Sequence, residues 1–248
     1  MIDWLRRTPK EPAPAERMRR MLDLGGRDLP LAIRRLRTAR RMTLRLAPDG
    51  SEARITLPPW GRVGEAIAFA HDRRDWLARQ LAALPAPHTV EPGGALPYRG
   101  ERLTIDWRDD APRKPALDGG AVVLGGPRAA LETRLKRWLE KEALRLFAAD
   151  AGDYAAAAGL ATPQVRLTRA RRRWGSCATD GTIRLNWRLV MAPDHVRRSV
   201  VAHEIAHLVH FDHSPEFHAC LARVFDGDMH AANRWLKREG RSLYAVFP

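Results

Sequence analysis

Two periods of apolar residues run along this chain, and where one gives way to the other the expected structure changes. Between Leu29 and Leu57 apolar and polar positions alternate in short runs. Met42, Leu44 and Leu46 are separated by Thr43 and Arg45, and Ile55 and Leu57 flank Thr56. A period of two predicts strands, and Pro48-Asp49-Gly50 between the runs predicts the turn of a hairpin or meander. Pro58-Pro59 ends this part. Ile67, Ala70, Trp76 or Leu77, and Leu81 then recur at helical spacing, which predicts one helix over Val63–Leu84, closed by Pro85-Ala86-Pro87. Residues 88–126 are rich in Gly and Pro, with β-like pieces at Leu103–Ile105 and Ala121–Leu124, and read as a second small sheet. Over Arg128–Ala158 the helical period returns, with Leu131, Leu135, Trp138 or Leu139, Leu146 and Phe147 on one side and Gly152 as a point of interruption.

The last third alternates between the two periods. Gln164–Thr168 reads as a strand, and Ala178-Thr179-Asp180-Gly181 as a turn into a second strand over Thr182–Trp187. Pro193-Asp194 opens a helix running to about His210, with Asp194 as its expected N-cap. Ser214-Pro215 opens another, with proline at the first helical position. A final helix is expected from about Met229 to Arg238, closed by Gly240. The first 27 residues, with TPKEPAPAE and Gly25-Gly26, read as a flexible arm in which Met18–Leu24 is a candidate short helix.

Composition narrows the class. An apolar fraction of 45% and a charged fraction of 29% belong to a globular chain. No run approaches the roughly 18 uncharged apolar residues that a membrane helix needs, and the N-terminus lacks the apolar stretch of a secretory signal. Two cysteines, Cys177 and Cys220, make no disulfide framework. A soluble, cytoplasmic protein is expected. The net charge of +14 is uneven: residues 1–45 carry 13 Lys/Arg against 5 Asp/Glu, and residues 161–200 carry 9 against 2. Such segments suit nucleic acid or another polyanion, but no aromatic–basic recognition motif accompanies them, and a solvated arginine-rich surface explains them as well.

Chemistry concentrates in His203-Glu204-Ile205-Ala206-His207. Two histidines four apart on a helix share a face, one turn from each other, so both imidazoles reach one ion at about 2.0–2.1 Å. Glu204 then projects beside the metal without needing to ligate it, where a base must stand to take a proton from water. A catalytic site also wants a third protein ligand and an open position. His210 and His213 are the neighbouring candidates. His210 falls within the expected helix, about 10 Å of rise beyond His203, whereas His213 follows the helix end in Phe211-Asp212-His213, from which the chain can fold back. Geometry favours His213, and leaves His210 a capping, supporting or surface role.

A second informative segment is Arg171-Arg172-Arg173-Trp174-Gly175-Ser176-Cys177, followed by Leu185-Asn186. One reading makes it a basic loop between strands with Trp174 packed in the core. The other places the hairpin against the metal helix, with a strand edge to take an extended peptide and with Arg173, Trp174 and Asn186 at the substrate or oxyanion. Cys177 reads as a packed thiol rather than a ligand or nucleophile.

HEIAHLVHFDHSPEF, RRRWGSC, GTIRLNWRLVMAP and the closing Arg234-Trp235-Leu236 together resemble the YgjP-like family of predicted zinc metallopeptidases, relatives of the SprT/Spartan-type proteases. The likeness is most specific over about Arg173–Phe217. It implies an α+β fold in which a zincin-like catalytic domain, an active-site helix packed on a small sheet, follows a smaller β-rich domain. The expected organisation is an arm at 1–27, a β-rich domain with one helix at 28–126, and the catalytic domain at 127–248. It also implies a single zinc ion on His203, His207 and His213, Glu204 as catalytic base, and a protein or peptide substrate. Two rivals stand beside it: a zinc-dependent amidase of a small molecule, and a basic nucleic-acid-associated module, the protease acting on DNA-bound proteins.

Overall fold

The computed structural model describes residues 17–84 and 89–247, which form two compact units divided between those stretches. The fold is mixed α+β.

In the first unit, strands β1 (Arg17–Asp23), β2 (Asp28–Arg35), β3 (Thr43–Leu46) and β4 (Ala53–Leu57) form a sheet in the order β1-β2-β4-β3. The alternation seen in the sequence puts Leu29, Leu31, Ile33, Leu46, Ala53, Ile55 and Leu57 on one buried face. β3 and β4 pair antiparallel across the expected turn, with Leu44 opposite Ile55.

Two expectations change here. Residues 17–23 are a strand rather than an arm or a short helix. Gly25 and Gly26 adopt φ of 81° and 110°, which lets the chain reverse between β1 and β2, and Leu22 pairs with Leu29 in the core. The remainder of the expected arm, residues 1–16, lies outside the described residues, as does Pro85-Ala86-Pro87. The single helix expected over Val63–Leu84 is two, α1 (Val63–Asp72) and α2 (Arg74–Ala82). Arg73 between them leaves the helical region at φ −104°, ψ 12°, and Ala66, Ala70 and Leu77 still join the same core.

The second unit opens with β5 (Ala95–Tyr98), β6 (Glu101–Trp107), β7 (Ala116–Asp118) and β8 (Ala121–Leu124), ordered β5-β6-β8-β7. An organisation with residues 28–126 as one β-rich domain does not match where the cores divide. Leu96, Tyr98, Leu103, Ile105, Val122 and Leu124 share a core with the helices that follow them, not with β1–β4.

α3 (Leu131–Ala157) is continuous through Gly152 and buries Leu131, Leu135, Leu139, Ala143, Leu146, Phe147 and Ala151 as one stripe. β9 (Val165–Thr168), β10 (Gly175–Cys177) and β11 (Ile183–Asn186) form a sheet ordered β10-β11-β9, so β10 is an edge strand. A 3₁₀ turn at Trp187–Met191 leads to α4 (Asp194–Val209), then α5 (Pro215–Val224) and α6 (Met229–Glu239).

α4 lies against α3, α5, α6 and β10, and Val196, Val200, Val201, Ile205 and Ala206 are all buried. Each valine or isoleucine so buried contributes on the order of 1.5–3 kcal/mol. Its N-cap is Pro193, not Asp194, because the Asp194 carboxylate turns instead to the Arg99 and Arg197 guanidinium groups. Burial alone would raise that carboxyl, but the hydrogen bond from Arg99 and the two positive charges outweigh it and hold it below its usual range. One turn on, buried Arg197 donates to Asp150 of α3 at 2.7 Å, an ion pair whose side chains are 4% and 9% exposed.

No helix among the described residues is long and apolar enough to cross a membrane.

The Arg197–Asp150 pair fixes the rotation of α4 on α3, since neither charge can be left in the interior alone. Asp150→Ala is expected to lower stability by about 1–3 kcal/mol in guanidinium unfolding, Arg197 keeping Asp194 as its remaining partner. A loss below about 1 kcal/mol would show that packing alone holds the helix.

Candidate metal centre

α4 carries His203 and His207 one turn apart, on a segment where both side chains are 8% exposed or less. Their Nε2 atoms lie 3.1 Å apart. The helix ends at Val209. His210 follows in an extended conformation (φ −127°, ψ 112°), and the chain turns back so that the Nε2 of exposed His213 comes to 3.4 Å from that of His203.

All three ligand atoms fall within 4.8 Å of one another, the one such His/Cys/Asp/Glu group among the described residues. Nitrogens at 2.0–2.1 Å from a tetrahedral ion are about 3.3–3.4 Å apart, so the two measured separations suit edges of one coordination polyhedron. The site therefore fits a transition-metal ion held by three imidazoles.

Protonation and tautomer also suit ligation. Desolvation, with lesser contributions from His207, His213 and His218, keeps the His203 imidazole well below its usual pKa, and burial lowers that of His213. Both are therefore neutral near pH 7, as a ligand must be. The Nδ1 of His207 lies 3.1 Å from the His210 carbonyl. With Nδ1–H donating there, the Nε2 lone pair points at the cluster. His210 thus supports the site through its backbone, and its own imidazole is outside the group of three.

Glu204 follows His203 and is 3% exposed. Burial pushes its carboxyl up to about 8, opposed by the charge of nearby Arg173, which is half-buried. A cation among the imidazoles would reinforce that opposition.

Two other expected site residues are placed elsewhere. Trp174 is 9% exposed and packs on Tyr244, with ring centroids 5.8 Å apart. Asn186 is fully buried. Its amide donates to the Ala170 carbonyl at 2.9 Å and the Tyr244 hydroxyl at 3.2 Å, and its carbonyl accepts from the Arg188 N–H at 3.1 Å. With its hydrogen-bonding groups engaged inside the fold, Asn186 ties β11 to the loop before β10 rather than meeting a substrate. Cys177 is a half-buried thiol, in no disulfide and outside the cluster.

Three further groups contribute to the site, one of them, His210, in the supporting role expected of it. Phe217, fully buried on α5, sets its ring centroid 5.0, 4.6 and 4.8 Å from those of His203, His207 and His213. It forms an apolar floor that restricts all three rings. Ser214 positions it by capping α5, its hydroxyl accepting from the Phe217 N–H at 3.4 Å. The sequence signal was an aromatic in the first turn of the helix that Ser214-Pro215 opens. The second is the His210 carbonyl, which no side-chain pattern announces.

The third is Gly175 on β10, which faces Glu204; a glycine inside a strand is itself a sign of close approach. The ladder beside it is specific. Asn186 N–H donates to the Trp174 carbonyl at 2.7 Å and Ala178 N–H to the Thr182 carbonyl at 2.9 Å. Gly175 pairs with Leu185 and Cys177 with Ile183 between those bonds. By the alternation of an antiparallel ladder, Gly175 and Cys177 turn their backbone N–H and C=O groups to the outer edge.

The sequence profile of the YgjP-like metallopeptidase domain matches residues 40–239. Comparison with curated proteins and with solved structures gave no match. The profile spans most of the chain and takes in α4, the loop bearing His213 and the whole of β10, so the protein belongs to the YgjP-like metallopeptidase family.

Proposed function

We propose that the protein is a zinc-dependent peptidase with a zincin-like catalytic unit, in which His203, His207 and His213 hold one zinc ion and Glu204 is the general base. The observation that carries this reading is the convergence of three Nε2 atoms, 3.1 and 3.4 Å apart along two edges, next to a buried carboxylate. Three imidazoles favour zinc over harder cations, and a three-ligand set leaves the open position that separates catalytic from structural sites.

When bound, zinc supplies a Lewis acid for the scissile carbonyl and lowers the pKa of its water toward about 7. The remaining work falls to the chain's own groups. Glu204 takes the proton of the attacking water and passes it to the leaving amine. Phe217 and the burial around Glu204 exclude bulk solvent, so the proton moves between the two without competing acceptors. Arg173 stabilises the charge that develops on the carbonyl oxygen. An extended peptide adds to the outer edge of β10, bonding with the outward N–H and C=O groups of Gly175. That edge favours a peptide over a small amide, since main-chain pairing needs a chain to pair with.

In Glu204→Gln, hydrolysis of fluorescently labelled casein is expected to fall by about 10²–10⁴-fold while elemental analysis finds zinc at the wild-type load; unchanged hydrolysis would remove Glu204 from the role. The ligand set is tested separately. Purified His213→Ala is expected to carry far less zinc than the wild type, and His210→Ala a full load, because only its backbone carbonyl serves the site. The opposite pattern would make His210 the third ligand.

A further inference from the structure

We infer that Gly175 is a positioning residue: the space where its side chain would stand is the seat of the Glu204 carboxylate. A Cβ built on Gly175 would lie 2.7 Å from Cγ and 2.8 Å from Cδ of Glu204, and closer still to Oε1. These three atoms are its nearest neighbours, so the Glu204 side chain is what an added Cβ would meet first. Gly175 is not among the glycines with positive φ. Its backbone is one that any residue adopts, and conformational freedom does not account for it. Space does.

Neither side can give way easily. Gly175 lies between two backbone hydrogen bonds that fasten its strand to β11, from Asn186 to Trp174 and from Ala178 to Thr182. Glu204 rides on α4, which is buried along most of its length and pinned by the Arg197–Asp150 pair. A clash with the tip of a surface side chain would be relieved by a small rotation. Here Cγ and Cδ are involved, and the side chain is 3% exposed with packed protein around it. Even alanine, the smallest addition, forces the carboxylate out of this position and into another rotamer.

The notch thus selects one rotamer of Glu204, holding it beneath the strand whose outer edge faces the peptide. Its consequence for catalysis rests on the peptidase reading above. Its existence does not.

The test is a set of double-mutant cycles. In metal-free protein, Gly175→Ala is expected to lower Tm by about 3–10 °C, the overpacking cost for a chain of this size, and to lower it by less than about 1 °C in the Glu204→Ala background, where the notch is empty. Equal losses in both backgrounds, or no loss in either, would overturn the seat. In zinc-loaded protein, Gly175→Ala is expected to keep its metal and lose about 10²-fold or more in kcat on labelled casein. In the Glu204→Ala background, which lacks Cγ and the carboxylate, the same substitution should cost less than tenfold of the residual kcat. A full 10²-fold cost there would mean that Gly175 acts on the substrate strand and not through Glu204. A wild type that neither binds zinc nor cleaves casein would sink the peptidase reading and leave the stability cycle to decide the notch.

Discussion

An acid cannot be taken into a protein interior without losing its charge or gaining a compensating one. Glu204 is enclosed on all sides, and burial has moved its carboxyl to about 8. The neighbouring imidazoles of His203 and His213 are held neutral by the same desolvation. The region therefore gathers strong Lewis bases and an acid that nearby positive charge would ionise. Arg173 supplies part of that charge, and a dication among the imidazoles would supply more. The rest of the second unit can be understood as the framework that keeps this uncomfortable set of groups together.

That framework acts mainly through α4. The helix is surrounded by α3, α5, α6 and β10, so its buried valines set its depth while Arg197 on Asp150 sets its rotation. Phe217 comes from α5, His213 from the loop between, and Gly175 from the sheet. Three separate segments meet on one turn of helix, and each contributes something different: an apolar floor, a third donor, and an empty space.

The sequence disclosed whatever depends on periodicity and on side-chain type. The alternation from Leu29 to Leu57, the apolar stripe of α3, and the spacing of His203, Glu204 and His207 all carry their geometry in the pattern. The turn at Ser214-Pro215 was legible because capping is local. What escaped depends on which apolar faces pair in the folded chain. Gly25-Gly26 looked like the end of an arm because nothing local tells a reversal from a linker, and only Leu22 against Leu29 decides it. The strands from Ala95 to Leu124 seemed to belong with the earlier sheet by kind, whereas their apolar faces are completed by α3. Asn186 and Trp174 had the chemistry of a site, and proximity in sequence suggested one. Burial assigned both to the core.

The point at which α4 stops has a bearing on how strong a ligand His207 would make. The final carbonyls of any helix lack an intrahelical partner, and at His210 one of these otherwise idle acceptors is directed at the ring of His207. Were the helix to continue another turn, that oxygen would be claimed by an amide farther along, and the imidazole would lose both its orientation and the electron density that a polarised N–H lends to the opposite nitrogen. Helix length, ordinarily a matter of packing, here tunes the donor power of a ring.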